Sequence, residues 1–298
     1  MVNKKIDLSI IIPLRNEEAS LEILCLELRE VLSRMDLSYE LIFIDDGSKD
    51  NTFGTLRALR NGFNNFKLVK FKQKYGQSIA ISMGFKLSKG SIIITLDGDL
   101  QNDPKDIPGF LEKIMDNHDI VCGWRRSRKD NFLTKVLPSY FGNAFLSGIT
   151  GIKLHDFGCT FKAYRNEPAK KISTKLFNGA HRFIPVIADK MGFSMCEIEI
   201  RHRQRVFGYS NYKVARIFKA LFDLLALELA FISRRGIVIF LFTGVFVFLS
   251  GLLFSIRNHF IFSLLFISLG IIFFLTAFRA LNINKIPQDP SGFIEEQY

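Results

Sequence analysis

Cysteine is scarce in this chain of 298 residues, which has four, and no two of them stand at a metal-binding spacing. Their scarcity excludes zinc ribbons and disulfide scaffolds and is typical of reduced structural cysteines in a cytosolic domain. Neither GxGxxG nor a P-loop motif occurs, so a dinucleotide or P-loop site has no support. No RNA- or DNA-binding motif is present, and nothing at Met1 resembles a signal peptide.

Charge is missing altogether from residues 236–256 and 260–278. Each run has about 20 residues, enough for a helix to span roughly 30 Å of hydrocarbon. A buried core helix of that length normally keeps a polar face, and these runs have none. The sequence therefore predicts two transmembrane helices.

Positive charge is concentrated before the first span and after the second, whereas the loop between them contributes one arginine, Arg257. This asymmetry predicts an integral membrane protein whose termini and large N-terminal domain are cytoplasmic. With two spans present, anionic lipid and phosphate substrates explain the net charge of +11 more simply than nucleic acid does.

Short apolar runs alternate with helical patterns in the first hundred residues. The predicted strands cover residues 8–13, 40–44, 67–71 and 91–96. Such alternation predicts an α/β fold with a doubly wound, mostly parallel sheet, which binds ligands beyond the carboxyl ends of its strands. Polar residues follow three of these strands, at residues 13–17, 45–46 and 97–99, and we expect them to converge.

Asp97 and Asp99 stand two residues apart directly after the fourth predicted strand. Paired carboxylates are hard oxygen ligands suited to Mg²⁺ or Mn²⁺, which would neutralise a departing diphosphate. An ordinary acidic turn is the alternative. The role of Asp46 also has two interpretations, a strand-ending turn or a contact with the base or ribose of a nucleotide.

Two later segments have clear periodicity. Residues 196–206 alternate as a strand does, with arginines on one face. Residues 213–232 form an amphipathic helical pattern whose basic side chains are Lys213, Arg216 and Lys219. This helix is predicted to lie at the membrane interface, the alternative being a domain helix packed on the sheet.

An ordered set of motifs covers nearly the whole chain: PLRNEE, IDDGSKDNT, LDGDLQNDP, CGWRRSR, DFGCTFKAYR, HRFIP and RVFGYSNY. This set resembles the family 2 glycosyltransferases, and within them the polyprenyl-phosphate sugar synthases with a two-span anchor. The resemblance implies a GT-A fold, followed by an interfacial helix and the two spans. It also implies inverting transfer from a nucleotide-sugar to a polyprenyl phosphate, serving cell-envelope glycans or protein glycosylation.

The resemblance assigns roles motif by motif. Donor-nucleotide positions are matched by Pro13, Arg15, Glu17, Ile44, Asp46, Leu96, Asp97 and Gly98. Metal ligands are matched by Asp99 and Gln101, with Asp97 close to the same ion. Arg125 and Arg205 match arginines that contact the diphosphate or the acceptor phosphate. The family often has Tyr in place of Arg15, and Lys in place of Asn211, a phosphate contact that Lys213 would have to replace.

A phosphate acceptor also suits the residues themselves. A phosphate monoester is largely dianionic at neutral pH because its second pKa is about 6, so it needs cations rather than a base. Arginines that could supply them are Arg125, Arg126, Arg128, Arg201, Arg203 and Arg205. A rival enzyme acting on a lipid or polysaccharide hydroxyl would need a carboxylate base, for which Asp156 is the best candidate.

The predicted organisation has four parts. They are a catalytic domain over 1–210, an amphipathic juxtamembrane helix over 211–235, a transmembrane hairpin over 236–278 and a cytoplasmic tail over 279–298. The partners expected are membrane lipids, a polyprenyl phosphate and a UDP-glucose or GDP-mannose type donor, with room for a homo-oligomer. A non-catalytic membrane adaptor is the remaining alternative, and the intact acidic cluster argues against it.

Overall fold

A computed structural model describes residues 6–63, 65–127, 137–177, 179–204, 206, 215–231, 234–256, 260–283 and 291–298. The chain divides into two compact units. The first contains residues 1–212 together with residues 288–298, and the second contains residues 213–287. The two charge-free runs of the sequence both lie in the second unit.

The first unit is built on an eight-stranded sheet. Its strands are β1 (Leu8–Leu14), β2 (Tyr39–Asp45), β3 (Phe66–Phe71), β4 (Ile92–Thr95), β5 (Ile120–Trp124), β6 (Lys162–Arg165), β7 (Met195–Glu199) and β8 (Ile294–Gln297). They lie side by side in the order β7-β5-β6-β4-β1-β2-β3-β8. The first four strands are mutually parallel, which confirms the predicted α/β sheet.

Helices cover both faces of this sheet. The α-helices described in the first unit are α1 (Leu21–Ser33), α2 (Thr52–Leu59), α3 (Gln77–Leu87), α4 (Ile107–Met115), α5 (Leu137–Thr150), α6 (Asn166–Ser173) and α7 (Ile184–Lys190). Alternate residues of β1 point to opposite faces, so Ile10 and Ile12 join a core cluster with Leu24 of α1 and Phe110 of α4. Ile11 faces α3, where a Cβ on Gly84 would lie 2.3 Å from its side chain.

One antiparallel strand, β6, is inserted between β4 and β5. Thr95 of β4 and Cys122 of β5 both pair with Lys162 at the start of β6. The strand therefore carries the loop that precedes it, residues 156–161, to the carboxyl end of β4. This is the edge of the sheet where the sequence predicts a site.

The predicted strand over residues 196–206 is wrong beyond Glu199, where β7 ends. Its partner β5 ends at the same level, because Trp124 pairs with Glu199. Past that point the Arg201 backbone N–H and Nε both donate to Asp106 at 2.8 Å. Backbone pairing then passes to the loop after β4, where His202 forms an isolated antiparallel bridge with Asn102.

The last strand comes from the segment that the sequence analysis treats as a tail. β8 pairs antiparallel with β3 at the outer edge of the sheet. The Leu68 and Tyr298 backbones exchange hydrogen bonds of 2.8 and 2.9 Å, and Lys70 pairs with Glu295 at 3.2 Å. β8 covers the edge of β3, which would otherwise expose unpaired backbone groups.

The second unit consists of α8 (Ala215–Phe231), α9 (Arg234–Ile256) and α10 (Phe260–Ile283). The apolar windows of α9 and α10, residues 236–253 and 263–281, are long enough to cross a membrane. Only 17 % and 22 % of these windows are buried, which argues against core helices of a soluble protein. Glycines bring the two helices together: a Cβ on Gly270 would lie 2.6 Å from the Phe248 side chain.

Helix α8 packs on α10 within this unit. Asp223 is almost fully buried and forms an ion pair with Arg279 of α10, whose guanidinium also lies 5.9 Å from the Phe222 ring. The structure does not describe the side chains of Lys213, Arg216 and Lys219, which suggest an interfacial position for α8. That position stays a prediction.

Candidate active site

The ends of β1 and β2 lie side by side at the predicted edge of the sheet. Pro13 pairs with Ile44 in the strand register, and Leu14 pairs with Asp45. Pro13 and Ile44 are buried, so a ligand at this edge would meet their backbone atoms rather than their side chains. The Arg15 Nη1 atom lies 3.4 Å from the Asp46 carbonyl oxygen, which joins the two strand ends.

The loop after β1 is tied to the loop after β2. Asn16 has a φ of 54°, in the left-handed region, and its backbone N–H donates to Ser48 Oγ at 2.9 Å. The Glu17 backbone N–H donates to Thr52 Oγ1 at 3.0 Å. The Glu17 position is therefore fixed by the start of α2.

Asp46 holds the loop that leads into α3. Its carboxylate is 4 % exposed and accepts hydrogen bonds from the backbone N–H groups of Tyr75 at 2.6 Å and of Gly76 at 2.9 and 3.0 Å. Gly76 has a φ of 101°, which favours glycine. Burial raises the pKa of Asp46, although these two hydrogen bonds oppose that rise.

Asp97 follows β4 and is held from two sides. The Gln77 side chain at the start of α3 donates to Asp97 Oδ1 at 2.7 Å, and Thr160 Oγ1 donates to Asp97 Oδ2. Residues 75–77 thus contact Asp46 through their backbone and Asp97 through a side chain. The two acidic strand ends belong to one continuous site.

The remaining residues of the LDGDLQ motif turn sharply around Asp99. The Gln101 backbone N–H donates to Asp99 Oδ1 at 3.1 Å, and the intervening Leu100 has a φ of 63°. A Cβ at Gly98 would lie 2.0 Å from Leu14 Cδ2, so a side chain at this position would require the buried Leu14 side chain to move. Its carbonyl oxygen accepts a 2.7 Å hydrogen bond from Ser20 Oγ.

The donor set of this turn suits a hard divalent cation. Asp97 and Asp99 supply carboxylate oxygens, and Gln101 supplies an amide oxygen, which are ligands that Mg²⁺ and Mn²⁺ accept. Among the described residues, no three His, Cys, Asp or Glu side chains are close enough to hold a metal by themselves. Two carboxylates and an amide fit an ion that completes its coordination with substrate phosphate oxygens.

Arg125 and Asp156 form a buried, bidentate ion pair. Arg125 Nε lies 2.7 Å from Asp156 Oδ2, and Arg125 Nη2 lies 2.9 Å from Asp156 Oδ1. The two side chains are 16 % and 4 % exposed. Burial by itself lowers the pKa of Arg125, but Cys159, Asp156 and Asp97 together hold that pKa above its ordinary value. The guanidinium is therefore a fixed positive charge beside the loop of residues 156–161.

Of the other arginines considered for the acceptor phosphate, those that the structure describes are paired with acidic residues. Arg126 pairs with Glu199 at 2.7 Å, Arg201 with Asp106 at 2.8 Å, and Arg203 with both Asp103 and Glu27 at 2.8 and 2.7 Å. Arg128, Arg205 and Asn211 lie outside the described residues. Of the two arginines favoured from the sequence, Arg125 is the one the structure places.

The groups that hold the acidic residues were not predicted from the sequence. Gln77 and Thr160 contact Asp97, while the Tyr75 and Gly76 amides contact Asp46. Tyr75, Gly76 and Gln77 follow β3, so the rule that ligands bind beyond parallel strand ends could have found them. Thr160 precedes an antiparallel strand, to which this rule does not apply.

Comparison with known proteins gives a consistent result. The model of the family described as Glycosyl transferase family 2 matches residues 9–173. A dodecaprenyl-phosphate galacturonate synthase from Rhizobium johnstonii is 36 % identical over 75 % of this chain and 67 % of its own length. An undecaprenyl-phosphate 4-deoxy-4-formamido-L-arabinose transferase from Pseudomonas paraeruginosa is 34 % identical over 72 % of this chain. The chain spans only 63 % of the latter's length.

Solved structures agree on the fold. A glucosyl-3-phosphoglycerate synthase from Mycobacterium tuberculosis, solved with Mn²⁺ and UDP-glucose, superposes with a TM-score of 0.54 and 19 % sequence identity. The superposition covers 74 % of this chain and 78 % of that one. The likeness confirms the expected GT-A fold of the first unit.

Proposed function

Because the chain belongs to glycosyl transferase family 2, we propose that it moves a sugar from a nucleotide-sugar to a polyprenyl phosphate with inversion at the anomeric carbon. The relatives described above are polyprenyl-phosphate sugar transferases by name. The observation that carries the proposal is the linkage of Asp46 to Asp97 through residues 75–77. One site would then bind the nucleoside at one strand end and its diphosphate at the next.

The donor is held between the ends of β1, β2 and β4. Asp46 and the backbone around Pro13, Ile44 and Leu96 border the nucleoside, with Arg15 and Glu17 in the loop above them. Mg²⁺ or Mn²⁺ would be held by Asp97, Asp99 and Gln101, where it neutralises charge on the departing nucleoside diphosphate. UDP is the favoured nucleotide, since the structural neighbour binds UDP-glucose with Mn²⁺.

The acceptor needs positioning rather than deprotonation. Its phosphate is largely dianionic at neutral pH, so the chemical step depends on bringing it in line behind the anomeric carbon. Arg125 is rigid, charged and adjacent to the loop that contacts Asp97, which suits it to attract a phosphate oxygen. Arg205 keeps the same proposed role from the sequence.

The structure weakens the case for a hydroxyl acceptor. Asp156, the best candidate for a base, is 3 % exposed and is engaged by Arg125 through both carboxylate oxygens. A base must reach the proton it abstracts, and both carboxylate oxygens of Asp156 are already engaged by Arg125. The adaptor alternative is weakened by the intact metal-binding donor set.

The proposed location is a membrane face with the catalytic unit in the cytoplasm. Residues before and after the α9–α10 hairpin belong to the same sheet, so a hairpin that crosses the membrane must return to the side it left. The concentration of lysine and arginine on the outer flanks favours the cytoplasmic side. Both termini would then be cytoplasmic.

The test is product formation by the purified full-length chain. The protein is incubated with Mn²⁺, undecaprenyl phosphate and a panel of UDP- and GDP-sugars, and the lipid is analysed by mass spectrometry. We expect one glycosylated lipid phosphate, no product after EDTA treatment, and no product from Asp99→Asn. The matched control is Asp116→Asn, which removes an exposed carboxylate paired with Lys113 and should keep activity. Absence of product with every donor would overturn the function.

A further inference from the structure

The strand that follows the transmembrane hairpin reaches the donor side of the candidate site. Phe293 lies just before β8, and its carbonyl oxygen accepts a 3.0 Å hydrogen bond from the Lys72 backbone N–H. Lys72 begins the loop that runs from β3 to α3. The C-terminal segment therefore contacts the loop whose amides hold Asp46, and it does so within the first unit.

An aromatic cluster of Phe71, Tyr75 and Phe293 forms this contact. The Phe293 and Tyr75 rings lie 4.4 Å apart at an interplanar angle of 37°. Both rings also pack edge-on against Phe71, at 6.5 and 5.6 Å, and Phe71 is fully buried. Tyr75 is thus packed between the core residue Phe71 and Phe293, which lies more than 200 positions later in the sequence.

On the side opposite these ring contacts, the backbone of Tyr75 contacts Asp46. Its N–H and that of Gly76 donate to the buried Asp46 carboxylate. The same loop covers the end of β2 closely, because a Cβ on Gly47 would lie 2.6 Å from the Gln73 carbonyl carbon. A shift of the Tyr75 ring therefore moves the amides that orient Asp46.

Edge protection alone does not account for Phe293. Backbone pairing with β3 already covers the sheet edge, and it is completed by Leu68 and Tyr298 at the other end of β8. Tyr298 packs on Phe53 and under the Arg57 guanidinium, away from the Tyr75 loop. The two aromatic residues of this segment thus have separable contacts.

We propose that Phe293 is a positioning residue for the nucleotide of the donor, acting through Tyr75 and the Asp46-binding amides. This inference rests on the proposed function for the identity of the ligand. It adds the segment after the membrane anchor to the donor pocket. The loss of one aromatic pair predicts about fivefold weaker binding of the nucleotide.

The first measurement is UDP binding in the presence of Mn²⁺, by calorimetry on the full-length chain. Phe293→Ala should raise the Kd for UDP about fivefold, and Phe293→Tyr, which keeps the ring, should restore it. Tyr298→Ala is the matched control, since it removes a ring of the same segment without touching Tyr75. Equal weakening by both alanine variants would show a merely structural strand and overturn the proposal.

The second measurement needs no nucleotide. Hydrogen exchange of the peptide over residues 72–80 should be faster in Phe293→Ala than in the unmodified chain, and unchanged in Tyr298→Ala. A Kd and an exchange rate that are both unaltered in Phe293→Ala would refute the positioning role. If the unmodified chain fails to bind UDP, the proposed donor class fails and hydrogen exchange alone decides the role of Phe293.

Discussion

Replacing Asp156 with asparagine removes the negative partner of a guanidinium that is itself mostly buried. The pair is held by two hydrogen bonds of 2.7 and 2.9 Å, and the side chains of Arg125 and Asp156 are 16 % and 4 % exposed. Breaking a buried pair from one side costs about 3–5 kcal/mol, and we expect the lower end because asparagine keeps one acceptor oxygen. At about 2–4 °C per kcal/mol for a domain of this size, the melting temperature should fall by about 6–12 °C.

The chain contains a natural fluorescence probe for this experiment. Trp124 is its one tryptophan, it precedes Arg125, and its ring stacks on His155 at 4.2 Å. Fluorescence-detected melting of the purified protein therefore reports on the neighbourhood of the ion pair. Asp116→Asn, which breaks an exposed pair, should melt within about 1 °C of the unmodified chain because such pairs contribute little.

A second substitution distinguishes an unpaired charge from a general loss of structure. Arg125→Met combined with Asp156→Asn removes both charges, so the double variant should melt above Asp156→Asn alone. The reasoning is refuted if Asp156→Asn melts within about 2 °C of the unmodified chain. It is equally refuted if the double variant is no more stable than the single one.

The pH profile of the same variant separates positioning from base catalysis. We expect Asp156→Asn to lose activity by a similar factor at every pH, because its defect is a misplaced Arg125. A base that deprotonates a hydroxyl would instead give a variant that lacks the rising limb of the pH–rate profile. That second result, with an unchanged melting temperature, would favour the hydroxyl acceptor.

Three further outcomes follow from local packing. Burial raises the pKa of the Cys122 thiol to about 12. A thiol reagent at about pH 8 should therefore label the half-buried Cys196 and leave the three buried cysteines unlabelled until the protein is denatured. Mass spectrometry counts the labels. Gly98→Ala should weaken Mn²⁺-dependent UDP binding severalfold in calorimetry, because its Cβ would lie 2.0 Å from Leu14 Cδ2, and either this buried side chain or the turn proposed to bind the metal must move. Gly270→Leu should separate α9 from α10, measured as reduced energy transfer between labels on the two helices.

The sheet was predictable where the strands are buried and parallel. The predicted bounds of residues 8–13 and 40–44 differ from β1 and β2 by one residue at the ends, because central strands covered on both faces must be continuously apolar. The polar residues that follow them could be placed for the same reason. Parallel strands bring their carboxyl ends to one edge whatever the lengths of the helices between them.

Antiparallel strands left no such signal. β6 has the sequence KAYR and starts with Lys162, which is fully buried and donates to the Phe157 and Cys159 carbonyl oxygens. From the sequence alone, a lysine at that point argues against a buried strand, because burying its charge costs free energy. The loop carbonyl oxygens that lower this cost are visible only in the structure. β8 has two adjacent glutamates and follows two candidate membrane helices, so its sequence resembles a solvated tail. The contacts of Thr160 and Phe293 depend on these two strands.

The unit that contains the two candidate membrane helices is inserted between strands of the sheet in sequence rather than appended after them. The chain leaves the sheet after β7, at one edge, and returns as β8 at the opposite edge. Residues 213–287 lie between these two strands and contain all three helices of the second unit. A fragment ending near residue 210 would lose the anchor and, on the inference drawn above, the support of the donor loop by Phe293. Inactivity of such a fragment would therefore reflect a damaged donor site as well as the loss of membrane binding.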